Sequence, residues 1–467
     1  MDKVVASAAA AVADIPDGAS ILFGGFGVVQ AWPASLLLAL RERAPRDLTL
    51  IFNTPGVGPL SAQVLAEAGL VRKVIASFAA YPTRTTPVEE QVKAGRIELE
   101  LVPQGTLAER VRAGGAGIAA FYTPTGVGTP VAEGKEQREF GGRRYVLETG
   151  LTADYAFLRA HRADRHGNLV YRRGARNLHP VFATGARVTL AEVDEVVEAG
   201  GLDPESVVTP GIYVDRVVRT MHPLAAEEVR ALSRRYGRAI HVEPRPDVGG
   251  LPPDLMARRA ALLLRDGEYV NLGLGLPTLL SNFITGERDV VLHSENGMLA
   301  FGPLAEEGEE DVDLYNASGQ LVRLLPGASF FDSVTAHAMA RGGRVTTVVL
   351  GAFQVSARGD LANWRVPGSG KGGIGGAMDL AAGGARVVVL TYHTTRRQEP
   401  KLVPACTYPL TACGVVRDIV TDLAYVTVEP EGFVLRELAP GVELERVRAL
   451  TGAPLLVAHD LRTMSFA

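Results

Sequence analysis

Apolar runs alternate with glycine loops and amphipathic stretches along the chain. The longest uncharged stretch, residues 21–40, reads ILFGGFGVVQAWPASLLLAL. Several glycines and Pro33 interrupt it, so it predicts a buried strand, a glycine loop and a helix rather than a membrane span. The Ala-rich N-terminus has Asp2 where a signal peptide needs positive charge, and it lacks the Arg- and Ser-rich composition of a mitochondrial address. We therefore expect a cytoplasmic protein.

Four landmarks recur in the same order in the two halves of the chain. Each half begins with a helix, an Asp-Gly pair, a strand and a loop of glycines ending in proline, at 24–33 and 273–277. A second apolar strand follows, LTLIF or VVLHS, and then VPQGT or LPGAS. The fourth landmark, DRHGNLVYR or SARGDLANWR, precedes a Gly-Ala-Arg turn into another strand. Strands that alternate with helices predict βαβ units and parallel sheets.

This pattern predicts an α/β protein made of two pseudo-duplicated open α/β domains with mainly parallel sheets. We expect the first domain at residues 1–235, a linker containing Pro and Gly at 236–253, and the second domain at 254–467. Ligands of open α/β sheets bind beyond the carboxyl ends of the strands. The active site is therefore expected in the cleft between the two domains.

Composition narrows the classes of function. The 467 residues are 47% hydrophobic and 21% charged, which is typical of a multidomain globular protein. A net charge of −4 without a run of Lys and Arg gives no electrostatic footprint for nucleic acid. Cys406 and Cys413 fit neither a disulfide framework nor a zinc motif, and we expect them to be small core residues. The nine histidines show no tight ligand spacing, so no metal site is expected.

One carboxylate stands out at the end of an apolar strand. In DVVLHSENG, Glu295 follows the strand and precedes an Asn-Gly pair, which is itself a strong turn signal, so a purely structural turn remains an alternative. The equivalent strand of the first half ends in Asn53. The duplication is therefore symmetric in scaffold and asymmetric in chemistry, and it predicts one nucleophile with an orienting amide. For His293 we expect a structural or substrate-orienting role.

Two glycine-rich segments resemble nucleotide-binding loops but fail their patterns. In VPGSGKGGIGGAMD (366–379), Gly372 stands where a P-loop needs Ser or Thr. The segment 273–277 lacks the third glycine of a dinucleotide fingerprint, which disfavours a dehydrogenase. Free backbone N–H groups before Ala-Met-Asp could still cradle a phosphate or a developing oxyanion. A flexible loop without a role is the alternative.

Taken together, these blocks resemble the family I CoA-transferases, in particular the 3-oxoacid CoA-transferases with both subunits fused in one chain. The resemblance covers nearly the full length. Its most specific stretches are PQGTLAERVRAGGAGIAAFYTPTGVGT (103–129), SENGMLAFGP (294–303), LLPGASFFDS (324–333), GDLANW (359–364), GGIGGAMDL (372–380) and CTYPLT (406–411).

The resemblance implies a reaction and the residues that carry it. CoA would pass from an acyl-CoA to a free carboxylic acid through a glutamyl-CoA thioester on Glu295, with the Gly376 amide as the oxyanion donor. Asn53 and Gln104 match the family's substrate-side amides. The residues expected to bind CoA are Gly273, Gly275, Lys371 and Gly375. Coenzyme A is then a co-substrate, no cofactor is needed, and a homo-oligomer is expected, with a dimer favoured.

The chain departs from the family pattern mainly in its first half. The glycine loop carries Gln30 and Trp32, and FAAYP (78–82) replaces Tyr-Val-Gly-Glu-Asn. After the SENG motif, Ala300 replaces a family glycine and Phe301 follows it. We expect these changes to add bulk near the acyl side of the site and to select an acid other than succinate or acetoacetate. An acyl-CoA thioesterase on the same scaffold and a non-catalytic CoA or metabolite sensor are the alternative functions.

Overall fold

Strands and helices alternate through both halves of the chain. The structure is a computed structural model that describes residues 1–27, 31–79, 85–221, 226–237, 249–284, 288–368 and 372–466. Gln30, Lys371 and residues 80–82 lie outside the described residues, as does most of the predicted linker, from 238 to 248.

The first half contains short strands and helices in regular alternation. The strands are β1 (Ser20–Phe23), β2 (Leu48–Phe52), β3 (Val71–Ala76), β4 (Glu98–Leu101), β5 (Ala120–Thr123), β6 (Gln137–Phe140), β7 (Arg143–Thr149), β8 (Ala153–Asp164), β9 (Leu169–Val170), β10 (Ala186–Val197) and β11 (Arg216–Arg219). The α-helices are α1 (Ala8–Val12), α2 (Ala34–Arg43), α3 (Gln63–Glu67), α4 (Pro87–Lys93), α5 (Gln104–Gly115), α6 (His179–Thr184) and α7 (Ala226–Gly237).

The second half is richer in strands. They are β12 (Glu268–Leu272), β13 (Val290–Ser294), β14 (Met298–Leu304), β15 (Val322–Phe330), β16 (Thr347–Leu350), β17 (Gln354–Ser356), β18 (Leu361–Ala362), β19 (Arg386–Leu390), β20 (Leu402–Val403), β21 (Val416–Val420), β22 (Ala424–Glu429), β23 (Gly432–Leu438) and β24 (Leu455–Thr463). The α-helices are α8 (Pro253–Ala261), α9 (Ser333–Arg341), α10 (Ala377–Ala382) and α11 (Leu444–Leu450).

A parallel sheet covered on both faces forms the first half. Its strand order is β11-β10-β8-β1-β2-β3-β4, and β9 adds an antiparallel pairing to β8. In β1, Ile21 and Phe23 enter the core beneath α1–α4, whereas Leu22 enters the core beneath α5 and α6. Successive side chains of a strand point to opposite faces, so a strand covered on both faces needs consecutive apolar residues. The described residues of the uncharged run at 21–40 accordingly include most of β1 and the start of α2, as predicted. No helix within the described ranges is long and apolar enough to cross a bilayer.

The second half contains a mixed sheet of order β15-β14-β13-β12-β16-β19-β21-β22-β23-β24. Its central strands, from β13 to β21, are parallel, and antiparallel pairings begin at β14 and at β22. Two small sheets, β5-β7-β6 and β18-β17-β20, lie beside the main ones. The prediction of two α/β units with mainly parallel sheets is confirmed, while the boundaries at 235 and 253 stay predictions.

Four central strands of the two main sheets correspond in order and direction. The series β10-β8-β1-β2 matches β19-β16-β12-β13, and every neighbouring pair in both series is parallel. The sheets differ at the next strand, because β2 pairs with parallel β3 and β13 with antiparallel β14. Asn53 and Glu295 thus follow equivalent strands, but Glu295 lies in a tight hairpin turn at 295–297.

Cys413 does not belong to a core, contrary to the prediction. It is exposed, and its thiol is 3.4 Å from the carbonyl oxygen of Gly128. The preceding residue, Ala412, makes an isolated bridge to Leu361 and is still part of the core, so the buried segment ends directly before Cys413. Cys406 is half-buried.

Gly297 closes the β13–β14 hairpin at a position that only glycine fits. Its φ of +101° lies in the left-handed region, and a Cβ built there would lie 1.9 Å from the carbonyl oxygen of Phe331. The Phe331 N–H also donates to the Gly297 carbonyl at 3.0 Å, so the two backbones cannot separate without losing this bond.

Substitution of this glycine should therefore cost more stability than its backbone angle alone explains. We expect Gly297→Ala to lower the free energy of unfolding by about 3 kcal/mol or more, since steric overlap adds to the cost of a left-handed alanine. Gly432→Ala is the matched control, because Gly432 has φ +118° and nothing lies within 4 Å of its added Cβ. The control should cost only about 1–2 kcal/mol in urea unfolding. Equal losses for the two variants would contradict this account of the hairpin.

Candidate active site

Glu295 lies at the tip of the β13–β14 hairpin and is only 6% exposed. Its Oε2 has no hydrogen-bond partner in the described part of the chain. Burial raises the pKa of Glu295 to about 7, against smaller opposing effects of its own backbone amide and of the Asn271 side chain. A carboxylate that is poorly solvated and incompletely hydrogen-bonded is available for chemistry, and such shifted pKa values are typical of functional sites.

Gly376 brings backbone within contact of this carboxylate. It is the N-cap of α10, and a Cβ built on it would lie 3.1 Å from Glu295 Oε1 and 3.0 Å from Gln104 Oε1. Glycine suits this position because a Cβ would be tightly packed against these two oxygens, which would have to move by a few tenths of an ångström. The N–H groups at the start of a helix have no acceptor within the helix, so the Gly376 amide can serve as a donor beside Glu295.

Two amide side chains of the first half complete the cluster. Gln104 is the first residue of α5, and Asn53 directly follows β2; both are buried. The Gln104 Nε2 donates to Asn53 Oδ1 at 2.7 Å, and Gln104 Oε1 lies 3.1 Å from Nε2 of His337. The structure therefore brings Glu295, Gly376, Gln104 and Asn53 together, although they lie far apart in sequence.

The glycine loop before α10 is attached to the first half by its backbone. The Gly375 N–H donates to the Ser77 carbonyl at 3.0 Å, and the Gly375 carbonyl accepts from the Gln104 N–H at 2.9 Å. Gly373 pairs with Phe78 in an isolated antiparallel bridge. The position of Gly376 is consequently fixed relative to β3 and α5, not only to its own sheet.

A buried acid, Asp379, strengthens the same junction. Its Oδ2 accepts from the Gly105 N–H at 2.8 Å, and its Oδ1 accepts from the hydroxyls of Thr106 and Thr125 at 3.2 and 3.1 Å. Burial raises the pKa of Asp379, and the Arg341 guanidinium, 3.7 Å away, opposes that rise. These bonds hold the first turn of α5, and hence Gln104, against α10.

The four residues predicted to bind CoA have different surroundings. The Gly273 N–H donates to the Val349 carbonyl at 2.8 Å as part of the sheet. Gly275, with φ +85°, precedes the 3₁₀ helix Leu276–Phe283. Both backbone groups of Gly375 are engaged with the first half, and Lys371 lies outside the described residues. Their role in CoA binding stays a prediction.

His293 is held as a neutral structural residue. Its Nδ1 is 3.1 Å from the Asn271 amide nitrogen, and its Nε2 is 3.2 Å from the Ala336 carbonyl oxygen. Burial lowers the pKa of His293 to about 3. With both ring nitrogens occupied and the ring uncharged, His293 orients the end of β13 and is unsuited to proton transfer.

Sequence reasoning missed His337 and Asp379. Both side chains are fully buried, and each pairs with α5 across more than two hundred residues of sequence. A single histidine within a helix and a single aspartate after a glycine loop give no local signal of such a contact. The repeated landmarks pointed only to equivalent helices, not to a contact between them.

The departures from the family pattern do not all lie beside the site. Trp32 is buried and packs edge-on against Phe52, with ring centroids 6.4 Å apart, directly before Asn53. Phe301 instead packs in the core of the second sheet, so the expectation that it adds bulk to the site is wrong. Ala300 has a left-handed φ of +56°, which accounts for a glycine at this position in relatives of the predicted family.

Comparison with known proteins gives matches over nearly the whole chain. The family model described as coenzyme A transferase matches residues 5–220 and 254–450. The Homo sapiens mitochondrial succinyl-CoA:3-ketoacid coenzyme A transferase 2 is 42% identical over an alignment of 476 positions, which covers 97% of this chain and 90% of the relative. One of the subunits of the Pseudomonas putida 3-oxoadipate CoA-transferase is 48% identical over 234 residues, which are 50% of this chain and 100% of the relative.

Solved structures share the fold. An acyl-CoA transferase from Escherichia coli O157:H7, described as a thioester complex with CoA, matches with a TM-score of 0.80 and 21% sequence identity. The match covers 100% of this chain and 95% of that chain.

The expected cytoplasmic location is contradicted by the similar proteins. The human relative and the Rattus norvegicus succinyl-CoA:3-ketoacid coenzyme A transferase 2A, 40% identical over 97% of this chain and 89% of the relative, are both named as mitochondrial. The expectation was based only on the composition of the N-terminal residues. That composition is not a sufficient guide to the compartment.

The raised pKa of Glu295 should be visible in the pH dependence of stability. Between about pH 4.5 and 7 the folded chain retains a proton that the unfolded chain releases, so this carboxyl makes the fold progressively less stable as pH rises through that window. A shift from 4.5 to about 7 corresponds to about 3 kcal/mol. We therefore measure the free energy of unfolding in urea for Glu295→Gln and for the unsubstituted protein. The difference between them, in favour of Glu295→Gln, should grow by about 3 kcal/mol as pH rises from 4.5 to 8.

The control for this measurement is Glu67→Gln, which removes an exposed carboxyl at the end of α3. Its stability should follow that of the unsubstituted protein at every pH. A stability difference between Glu295→Gln and the unsubstituted protein that stays constant from pH 4.5 to 8 would show that this carboxyl is not held in a desolvated site.

Proposed function

Because the chain belongs to the coenzyme A transferase family, we propose that it transfers CoA between an acyl-CoA and a free carboxylic acid through a thioester on Glu295. It is a CoA-transferase of the succinyl-CoA:3-ketoacid type. The observation that carries the proposed mechanism is the buried Glu295 carboxylate, with Oε2 unpaired among the described residues and Oε1 beside the Gly376 backbone. Coenzyme A is a co-substrate in this scheme, and we propose no further cofactor.

The first half of the reaction loads CoA onto the protein. A Glu295 oxygen attacks the thioester carbonyl carbon of the donor, the C–S bond breaks, and a mixed anhydride and CoA thiolate form. The thiolate then attacks the glutamyl carbonyl carbon of the anhydride. The donor acid leaves as its carboxylate, and a glutamyl-CoA thioester remains.

The second half reverses these steps with another acid. The acceptor carboxylate attacks the glutamyl thioester, which releases CoA thiolate and again leaves a mixed anhydride. The thiolate attacks the acyl carbon of that anhydride, so that the new acyl-CoA forms and the Glu295 carboxylate is restored. One thioester is exchanged for another without net proton transfer, and the reaction needs no nucleoside triphosphate.

The arrangement of the site suits this chemistry. A carboxylate is a weak nucleophile, and burial of Glu295 removes the water that would stabilise its charge. Each attack produces a tetrahedral oxyanion, and a preorganised donor such as the Gly376 amide contributes about 3–4 kcal/mol to such a state. Exclusion of water also protects the anhydride and the thioester from hydrolysis. The fold shared with the E. coli acyl-CoA transferase, described as a thioester complex with CoA, fits the same chemistry.

Replacement of the nucleophile tests the proposal directly. We expect Glu295→Gln to abolish transfer, because an amide cannot form the anhydride, and Glu295→Asp to lose most activity, because its carboxylate is about one methylene short. Incubation with acyl-CoA followed by borohydride should reduce residue 295 alone, as seen by peptide mass analysis.

The pH dependence of the reaction gives a further test. The second-order rate constant kcat/KM should rise with pH and level off above about 7, where the Glu295 carboxyl is ionised.

Free-thiol release separates transfer from hydrolysis. A transferase releases no net thiol during turnover, with or without acceptor acid, whereas a thioesterase releases thiol continuously without acceptor. Transfer that persists in Glu295→Gln, or a borohydride label on another residue, would refute the proposed mechanism. If the unsubstituted protein binds CoA but shows neither transfer nor thiol release, the alternative of a non-catalytic CoA or metabolite sensor is favoured.

For the substrate, we propose an acid pair other than succinate and acetoacetate. Support comes from Trp32, which fills the space beside the Asn53 loop: a Cβ on Gly56 would lie 2.8 Å from the indole. The similarity of about half of the chain to a relative named as a subunit of a 3-oxoadipate CoA-transferase gives a candidate acid. We also propose a homodimer.

An acid panel tests the specificity. We expect at least one 3-oxo acid, among 3-oxoadipate and longer or more hydrophobic analogues, to give kcat/KM about 10-fold above acetoacetate with succinyl-CoA as donor, since differences of one methylene or one polar group are worth this much. Comparable or faster turnover of succinate and acetoacetate than of every other pair would contradict the proposal.

A further inference from the structure

We propose that His337 is a positioning residue that fixes the orientation of the Gln104 and Asn53 amides and thereby makes Asn53 a hydrogen-bond donor to the acyl group. The inference deepens the proposed function and rests on it, because it assigns Asn53 to the acyl side of that site. His337 lies in α9 of the second half, and the two amides belong to the first half.

The three side chains form one continuous chain of hydrogen bonds. His337 Nε2 lies 3.1 Å from Gln104 Oε1, and Gln104 Nε2 donates to Asn53 Oδ1 at 2.7 Å. All three are buried, with His337 fully enclosed. His337 also borders the reacting groups, since its Cε1 lies 3.4 Å from the position of a Cβ on Gly376.

The surroundings of the ring select one tautomer. Nδ1 of His337 has no hydrogen-bond partner among the described residues, whereas Nε2 faces an oxygen. A buried N–H without an acceptor is rarer and costlier than a buried lone pair without a donor. The single proton of the neutral ring therefore belongs on Nε2, which donates to Gln104. Burial and the nearby Arg341 guanidinium lower the pKa of His337 to about 3, so the ring is neutral.

This tautomer determines what Asn53 presents to a substrate. With Nε2 protonated, Gln104 must present its oxygen to His337 and its NH₂ to Asn53, and Asn53 must accept through its oxygen. The Asn53 NH₂ is left as the group for a ligand. The other tautomer would invert both amides and leave the Asn53 oxygen instead. A thioester carbonyl and a carboxylate offer only acceptors, so only the first arrangement bonds to them.

Close packing keeps the ring in this position. A Cβ on Gly105 would lie 2.7 Å from His337 Cγ and 2.8 Å from Asp379 Cγ. The charged groups packed around the ring, Arg341 and Asp379, lie 3.7 Å apart, and Arg341 also pairs with Glu109 at 3.3 Å. The ring is thus packed against the first turn of α5 and beside the Arg341–Asp379 pair.

The experiment compares His337→Phe with His337→Gln. Phenylalanine keeps much of the ring volume but donates nothing, whereas the Gln side-chain amide can donate from about the place of Nε2. We expect kcat/KM for acyl-CoA and for the acceptor acid to fall about 10-fold in His337→Phe, as for the loss of one buried hydrogen bond. His337→Gln should recover to within about 3-fold, and inhibition by free CoA should stay unchanged in both.

The matched control is His393→Gln. His393 is equally buried and bonds through both nitrogens, to Thr421 and Thr451 at 3.0 Å each, but it follows β19, which β12 and β16 separate from β13 in the sheet. Its replacement should lower stability and leave the kinetic constants of the acid and of acyl-CoA unchanged. A purely structural role of His337 would give the same result as this control.

A spectroscopic measurement covers the case in which His337→Phe does not fold. The ¹⁵N shifts of protein labelled in histidine, with the His337 signal assigned by its absence in His337→Gln, should show the Nε2–H tautomer. An Nδ1–H tautomer, or unsubstituted kinetics in both His337 variants, would overturn the inference. Active Glu295→Gln would instead refute the proposed function, so the two failures are distinguishable.

Discussion

The site depends on the close approach of a glycine loop to a carboxylate that is held away from water. A Cβ on Gly376 would lie 3.1 Å from Glu295 Oε1 and 3.0 Å from Gln104 Oε1, so the lack of a side chain lets the loop backbone lie beside both residues. The bonds of Gly375 to Ser77 and Gln104 keep the loop there. Without that approach the carboxylate would be open to solvent, and neither its raised pKa nor its backbone donor would exist.

The pseudo-duplication explains why a nucleophile and an amide lie at related positions. Corresponding strands β2 and β13 end at the same edge of their sheets, so Asn53 and Glu295 both project from strand ends. The difference is in the next connection. A tight hairpin follows β13, and the Glu295 side chain at its tip lies beside the glycine loop that also contacts Gln104.

Much of the fold and part of the site could be predicted from sequence, for physical reasons that differ by residue. Strand ends such as Asn53 and Glu295 are visible because an apolar run stops and turn residues follow. Gln104 was identified only by resemblance to a family, whereas the glycine loop was visible in the sequence and the resemblance selected Gly376 within it. The contacts of His337 and Asp379 join residues 233 and 274 positions away from them, and no local pattern encodes such distances. The exposure of Cys413 was missed because composition does not distinguish a core residue from a loop residue.

The contacts of Gly375 with the first half also explain an advantage of having both halves in one polypeptide. Since the acid and its amide neighbours come from different halves of the polypeptide, neither half alone contains the complete cluster. A covalent connection supplies the two parts in equal number and at a high effective concentration, so that their association does not depend on the amount of protein present.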